Sequence, residues 1–177
     1  GWFNSMFCGS PRQSGFTLIE LITVIILIGV LSVTALPRFV DFQDDAYAAS
    51  VQGTGTAFES AIKLAHLKWA VSGNSGPVDN LDLYGNGENL MDINVNGWPA
   101  QSYLPYEASP MLDNAWDCTS VWSAVLLDGS PTVAEDTSAD YQATYNANTC
   151  TFYLVAQPGY SIFYNSNTGE VSVDSTL

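Results

Sequence analysis

Glu20 is the single ionisable side chain within residues 16–36, a run otherwise built from Leu, Ile, Val, Ala, Gly, Ser, Thr and Phe. A carboxylate held in hydrocarbon costs about 2.5 kcal/mol or more on insertion scales, so this residue needs a partner or a task. Other chemistry-bearing side chains are sparse. His66 is the only histidine, three positions after Lys63 and flanked by Ala65 and Leu67, with no Ser or Cys elbow to complete a triad; its reading is a surface or helix-packing role. The cysteines are Cys8, Cys118 and Cys150, and the spacing of the last two matches no zinc motif. The acids Asp79, Asp82, Glu88 and Asp92, interleaved with Asn80, Asn86 and Asn89, offer oxygen ligands of the kind calcium takes, in an order that does not fit an EF-hand loop. The default reading is a solvated acidic loop without a metal, and calcium is the alternative. Gly85-x-Gly87 lacks the third glycine and the following helix of a dinucleotide fingerprint. No carboxylate pair is singled out for hydrolysis. The chain therefore reads as a non-enzyme with no cofactor.

The element that carries Glu20 is long. At about 1.5 Å per residue, residues 16–36 span about 32 Å as a helix, enough for a bilayer core of roughly 30 Å. A secretory signal peptide needs a basic n-region, an apolar core of about 7–15 residues and a small-residue cleavage site; this run is longer and holds an acid. A helix apolar on every side cannot form the surface of a soluble monomer, so it belongs in lipid or among copies of itself. Elsewhere the charge is lopsided: 18 Asp and Glu against 4 Lys and Arg, a net charge of -14. The bases are Arg12, Arg38, Lys63 and Lys68, and everything beyond Lys68 is acidic without a base. Lacking a cationic patch to neutralise phosphates, that portion is no nucleic-acid binder. An apolar fraction of 47% supplies a packed core and excludes global disorder.

Beyond Pro37, Tyr47, Val51, Phe58, Ile62, Ala65 and Trp69 recur at helical spacing. The helix is predicted from Phe16 to about Val71, with Ser72-Gly73-Asn74 as its stop. Gly53-Thr54-Gly55 interrupts the pattern, and Thr56 with Glu59 has capping-box spacing, so a helix restarting there is the alternative to a continuous one. Residues 73–117, rich in Gly, Pro, Asn and Asp, read as a long loop with short helical or strand pieces. Strands are predicted over Thr119–Leu127, Tyr141–Tyr145, Thr151–Ala156, Tyr160–Tyr164 and Val171–Val173, with turns at Gln157-Pro158-Gly159 and Asn165–Gly169. The predicted class is α+β, a long N-terminal helix packed against a C-terminal antiparallel sheet.

Gly15-Phe16-Thr17-Leu18-Ile19-Glu20, directly before the apolar helix, resembles the prepilin processing signature of type IV pilins. The resemblance covers residues 15 to about 40. It implies that a prepilin peptidase cleaves after Gly15 and methylates the new amine of Phe16. Residues 1–15 would then be a leader, 16–43 the transmembrane and filament-core half of the helix, and 44–177 the globular head of a ladle-shaped pilin fold. Leu83-Tyr84-Gly85, Gly97-Trp98-Pro99 and Tyr160-Ser161-Ile162 are similar to pilins of the mannose-sensitive haemagglutinin type. The implied function is a structural, self-polymerising subunit of an extracellular type IV pilus on a Gram-negative bacterium. The subunit would wait in the inner membrane for an assembly platform, and the fimbrium would serve adhesion or motility. A type II secretion pseudopilin is one alternative; a minor tip pilin that binds a glycan through residues 73–117 is another.

Several residues take roles from that resemblance. Glu20 would meet the Phe16 amine of a neighbouring subunit and set register, the alternative being a simple anchor whose Glu20 snorkels to the interface. Cys8 leaves with the leader, and Cys118 with Cys150 reads as one disulfide of an exported chain, against a metal pair or a reactive thiol. Gly29 and Pro37 mark a segment expected to lose regular helix in the filament, against a kink at Pro37 alone. Met6 is a candidate initiator.

Overall fold

The computed structural model describes residues 15–102, 106–127 and 131–176, with no side chains over 34–41. Cys8, Arg12 and the side chain of Pro37 thus lie outside the described residues. The chain divides into two units, Gly1–Gln43 and Asp44–Leu177.

Helix α1, Leu18–Val71, crosses that division without a break. Its end is closed by backbone bonds from Ser72 N to Lys68 O and from Gly73 N to Ala70 O, both 3.1 Å, with the Asn74 amide on Trp69 O. The restart at Thr56 does not occur. Its hydroxyl donates back to Gln52 O at 2.8 Å, one turn up the same helix. The neighbouring Gly55 has a packing reason instead: a Cβ there would stand 2.2 Å from Val173 Cγ2. The missing side chain lets the helix lie close on the sheet.

In the first unit the apolar side chains of α1 have no core to enter. Leu21, Ile22, Val24, Ile25, Ile26, Leu27 and Ile28 are all exposed, so the surface is apolar on every side of the helix. No helix among the described residues is long and apolar enough to cross a membrane.

The second unit holds two sheets and a short helix. Strands β1 (Val78–Asp82), β2 (Leu90–Ile93) and β3 (Pro99–Gln101) form an antiparallel sheet in that order. Helix α2 spans Ala115–Val125. The larger sheet orders β4 (Val133–Ala134), β5 (Tyr141–Asn146), β6 (Thr149–Leu154), β7 (Ser161–Asn165) and β8 (Glu170–Asp174), antiparallel except for the short β4 beside β5. Ala147 and Asn148, at φ 46° and 64°, make the two-residue turn between β5 and β6, whose handedness suits the strand twist. Val51, Phe58, Ile62 and Ala65 of α1 are buried against this body. The Phe58 ring meets Trp122, Phe152 and Tyr164 at centroid distances of 5.4, 5.5 and 5.7 Å. The indole of Trp122 donates to Pro131 O and the Tyr164 hydroxyl to Pro99 O, so both buried polar tips are satisfied.

One expectation is corrected. Thr119–Leu127 is not a strand: Thr119 to Val125 belong to α2. Its β-branched and aromatic residues suggest a strand, but Asn114 and Asp117 form a reciprocal capping box, and Cys118, Val121, Trp122 and Val125 bury one helical face. Residues 73–117 are, as expected, mainly loop with short pieces of regular structure, and those pieces make up the whole three-stranded sheet. Its strands are three to five residues long and separated by Gly- and Asn-rich turns. Such segments show little periodicity until they are paired.

Candidate functional site

The start of α1 gathers the residues of the processing signature. Thr17 is the residue before the helix and Glu20 lies three positions on; Thr17 N and Oγ1 donate to Glu20 Oε2 at 2.8 and 2.9 Å, and Glu20 N returns a bond to Thr17 Oγ1 at 3.3 Å. This is a capping box, and it supplies the helix's first turn with the acceptors it lacks. Thr17 was not singled out in the sequence, although Thr-x-x-Glu before an apolar run is the signal for this cap. Both Thr17 bonds fall on Oε2. Neither of these bonds falls on Oε1, and the side chain is exposed.

The other polar side chains of the apolar run are satisfied locally. The Thr23 hydroxyl donates to Ile19 O at 2.6 Å and Ser32 to Ile28 O at 2.7 Å. Such groups no longer demand water from outside the helix. Nothing stands within 4 Å of where a Cβ would be at Gly15 or at Gly29. The packing of a single chain therefore does not require glycine at either place. Gly29 sits in unbroken helix, and Pro37 lies in it too by backbone, its side chain outside the described residues.

Far along the chain Cys118 of α2 and Cys150 of β6 are joined by a disulfide, S–S 2.04 Å and Cα–Cα 5.7 Å, closing a sequence separation of 32. The bond ties the helix to the five-stranded sheet.

The four loop acids are not gathered. Asp82 accepts from Gly85 N at 2.7 Å and Gly87 N at 2.9 Å, so Gly85-x-Gly87 is a turn anchored on that carboxylate. The Gly87 amide, followed by the Gly85, Asn86 and Tyr84 amides, holds Asp82 below the usual carboxylate range. Asp79 accepts from Glu107 N, while Glu88 is exposed with its N–H on the Asn86 side chain. Asp92 is fully buried and accepts from Asn80 N at 2.7 Å; burial raises its carboxyl above the usual range. Among the described residues no group of three or more His, Cys, Asp or Glu is placed to hold a metal.

His66 packs rather than reacts. Its ring stacks on Trp98 at 3.9 Å and 12° and on Trp69 at 5.4 Å, and Nδ1 lies 2.7 Å from Gly97 O. Trp98 in turn covers Gly169, where a Cβ would stand 2.3 Å from the indole.

Comparison with known proteins bears on the N-terminal residues. Residues 10–36 match the family model for the prokaryotic N-terminal methylation motif. The chain is 52% identical over 57 residues to the type IV narrow pilus major component PilA5 of Thermus thermophilus, covering 32% of this chain and 49% of that one. It is 53% identical over 34 residues to the type IV major pilin protein PilA of Myxococcus xanthus, covering 19% and 16%. The motif and these relatives support the type IV pilin family. A longer alignment to a pilus protein, the fimbrial protein of Neisseria meningitidis, is 27% identical over 146 residues, covering 77% of this chain and 86% of that one. The matches to PilA5 and PilA span about half or less of those pilins' own length. No solved structure matches. Gly15, Phe16, Thr17 and Glu20 all lie within the matched methylation motif.

Proposed function

We propose that this chain is a structural subunit of an extracellular type IV pilus, polymerising through the apolar half of α1. The observation that carries the reading is a helix exposed and apolar on every side from Leu18 to Val33, opened by a processing and methylation motif and holding one carboxylate. Burying such a surface is favourable at about 25 cal/mol per Å² of apolar area removed from water, and a bundle of identical helices removes it.

In this reading a prepilin peptidase cleaves after Gly15, which nothing in the fold crowds, and methylates the amine of Phe16. The subunit waits in the inner membrane of a Gram-negative cell for the assembly platform. On entering the filament, Glu20 keeps Oε2 on its own Thr17 and gives Oε1 to the Phe16 amine of a neighbour. A slip in register would leave a buried charge unpaired, at a cost of about 3–5 kcal/mol. Between Gly29 and Pro37 the packed helix gives up regular hydrogen bonding, because Pro37 offers no N–H to Val33 O and Gly29 weakens the turn by roughly 1 kcal/mol. The filament serves adhesion or motility, and its branch is that of the mannose-sensitive haemagglutinin pilins.

Mass spectrometry of the mature chain tests the core of this. The expected terminus is an N-methylated Phe16 in filaments sheared from cells, with this chain the dominant component. A terminus near Ala35, as a secretory peptidase would leave, removes the assembly reading.

A further inference from the structure

The outer face of α1 in the second unit carries an apolar groove of about 310 Å³, walled by Leu64, Leu67, Lys68 and Val71 of the helix and by Leu83 and Tyr84. Positions 64, 67, 68 and 71 form one helical stripe. Leu67 is 55% and Val71 78% exposed, so the stripe has no cover among the described residues. Lys68, which lines it, and Lys63 are the only Lys or Arg of residues 44–177. Lys63 is paired with Glu59 at 2.5 Å. Lys68 has no ion-pair partner among the described residues.

One stretch of the same chain has the opposite character. Along 106–116, Tyr106, Met111 and Trp116 are exposed, Met111 by 53% and Trp116 by 58%, and the charges among them are those of Glu107 and Asp113. The two surfaces are held apart by α2. Tyr84 donates its hydroxyl to Val125 O at the helix's last residue, whereas Trp116 is in its first turn. Nine residues of rise separate them by roughly 14 Å.

We infer that the α1 groove of one subunit receives the 106–116 stretch of a second copy, with Lys68 against Asp113. The surfaces match in chemistry, apolar with a cation against apolar with anions, and they are different surfaces of one chain. A contact between unlike patches is heterologous and repeats from subunit to subunit, which produces an open helical array rather than a two-fold dimer. The exposed apolar side chains of both surfaces would be covered in the array. The inference rests on the pilus reading for its setting and adds to it a contact between heads, outside the N-terminal helix.

The test is cross-linking of the full-length chain in cells with a short bis-maleimide, all variants in a Cys8→Ser background. The expected result is a ladder of covalent oligomers from Leu67→Cys combined with Met111→Cys, and none from either alone. Adding Lys68→Glu should abolish the ladder, and adding Asp113→Lys to that should restore it. No ladder from the double variant overturns the contact. A dimer band from Leu67→Cys alone overturns it too, since that is a two-fold interface. Filaments sheared from the same cells report the pilus reading separately. Filaments without a ladder would remove the head contact alone, and a ladder without filaments would remove the pilus reading alone.

Discussion

Thr17 and Glu20 hold each other across the first turn of α1, with Thr17 N and Oγ1 both donating to Glu20 Oε2. The acid therefore has a local task in the single chain before any neighbour arrives. Substitution separates the two tasks. Glu20→Gln keeps an acceptor for Thr17 and removes the charge, while Thr17→Ala removes the cap, at a cost of about 1 kcal/mol, and keeps the charge. Sheared-filament yield should collapse for Glu20→Gln and change little for Thr17→Ala. Equal yields for Glu20→Gln and wild type would show that the charge has no part in assembly.

Gly53 and Gly55 lie two residues apart in α1 and should respond in opposite directions. A Cβ at Gly55 meets Val173 Cγ2 at 2.2 Å, while at Gly53 it meets nothing within 4 Å. Gly55→Ala is an overpacking change expected to cost about 1–3 kcal/mol. Gly53→Ala should add up to about 1 kcal/mol by helix propensity. Thermal unfolding of the detergent-solubilised chain reads both. A stabilised Gly55→Ala would mean that the helix does not rest on β8 as described.

Removing the disulfide between Cys118 and Cys150 should be costly. In the chain-entropy account, a closed loop of this length contributes about 3–4 kcal/mol, which for a domain of this size is roughly 10 °C in Tm. Cys118→Ser and Cys118→Ser with Cys150→Ser should both lower Tm by that order. Free thiols on both cysteines in mature filaments would refute the bond in the working form.

Asp92 should make the fold less stable at neutral pH than its amide would. Burial, aided by the charges of Asp79 and Glu107, raises its carboxyl, while bonds from Asn80 and Gln101 lower it, and the net direction is up. An acid raised by folding holds its proton more tightly in the native state. Its stabilising contribution is present below the unfolded value of about 3.9 and is lost as pH rises through the native value. Asp92→Asn keeps an oxygen for Asn80 N, so at pH 7 its Tm should exceed wild type by roughly 2–4 °C, about 1 kcal/mol. The gap should close as pH falls below about 4. Asp82→Asn should behave oppositely: the Gly87 and Gly85 amides hold that carboxyl down, so its contribution is present above its unfolded value and lost on acidification. A wild-type Tm at or above that of Asp92→Asn at pH 7 would mean that Asp92 is not strained by burial.

Features written within one short window were legible in the residues alone. The helical run from Phe16 to Val71, its apolar first half, the processing signature and the strands at Tyr141, Thr151, Tyr160 and Val171 each depend on the period and turn chemistry of adjacent residues. The head's other features depend on what arrives from elsewhere. α2 was mistaken for a strand because Thr119, Val121 and Trp122 suit either element, and it is their burial on one face against β3 and β5 that selects helix. The three-stranded sheet needs short segments to pair across turns before any of them counts as a strand. Gly55 reads in the sequence as a break in α1 and is instead the place where Val173 approaches closest, and the packing role read for His66 has its partners, Trp69 and Trp98, only in the fold. Nor does residue type tell that Asp92 is buried while Glu88 is solvated. Backbone periodicity is a local property that sequence records directly, whereas burial and close approach are properties of pairs of distant segments, decided only when the fold brings their surfaces together.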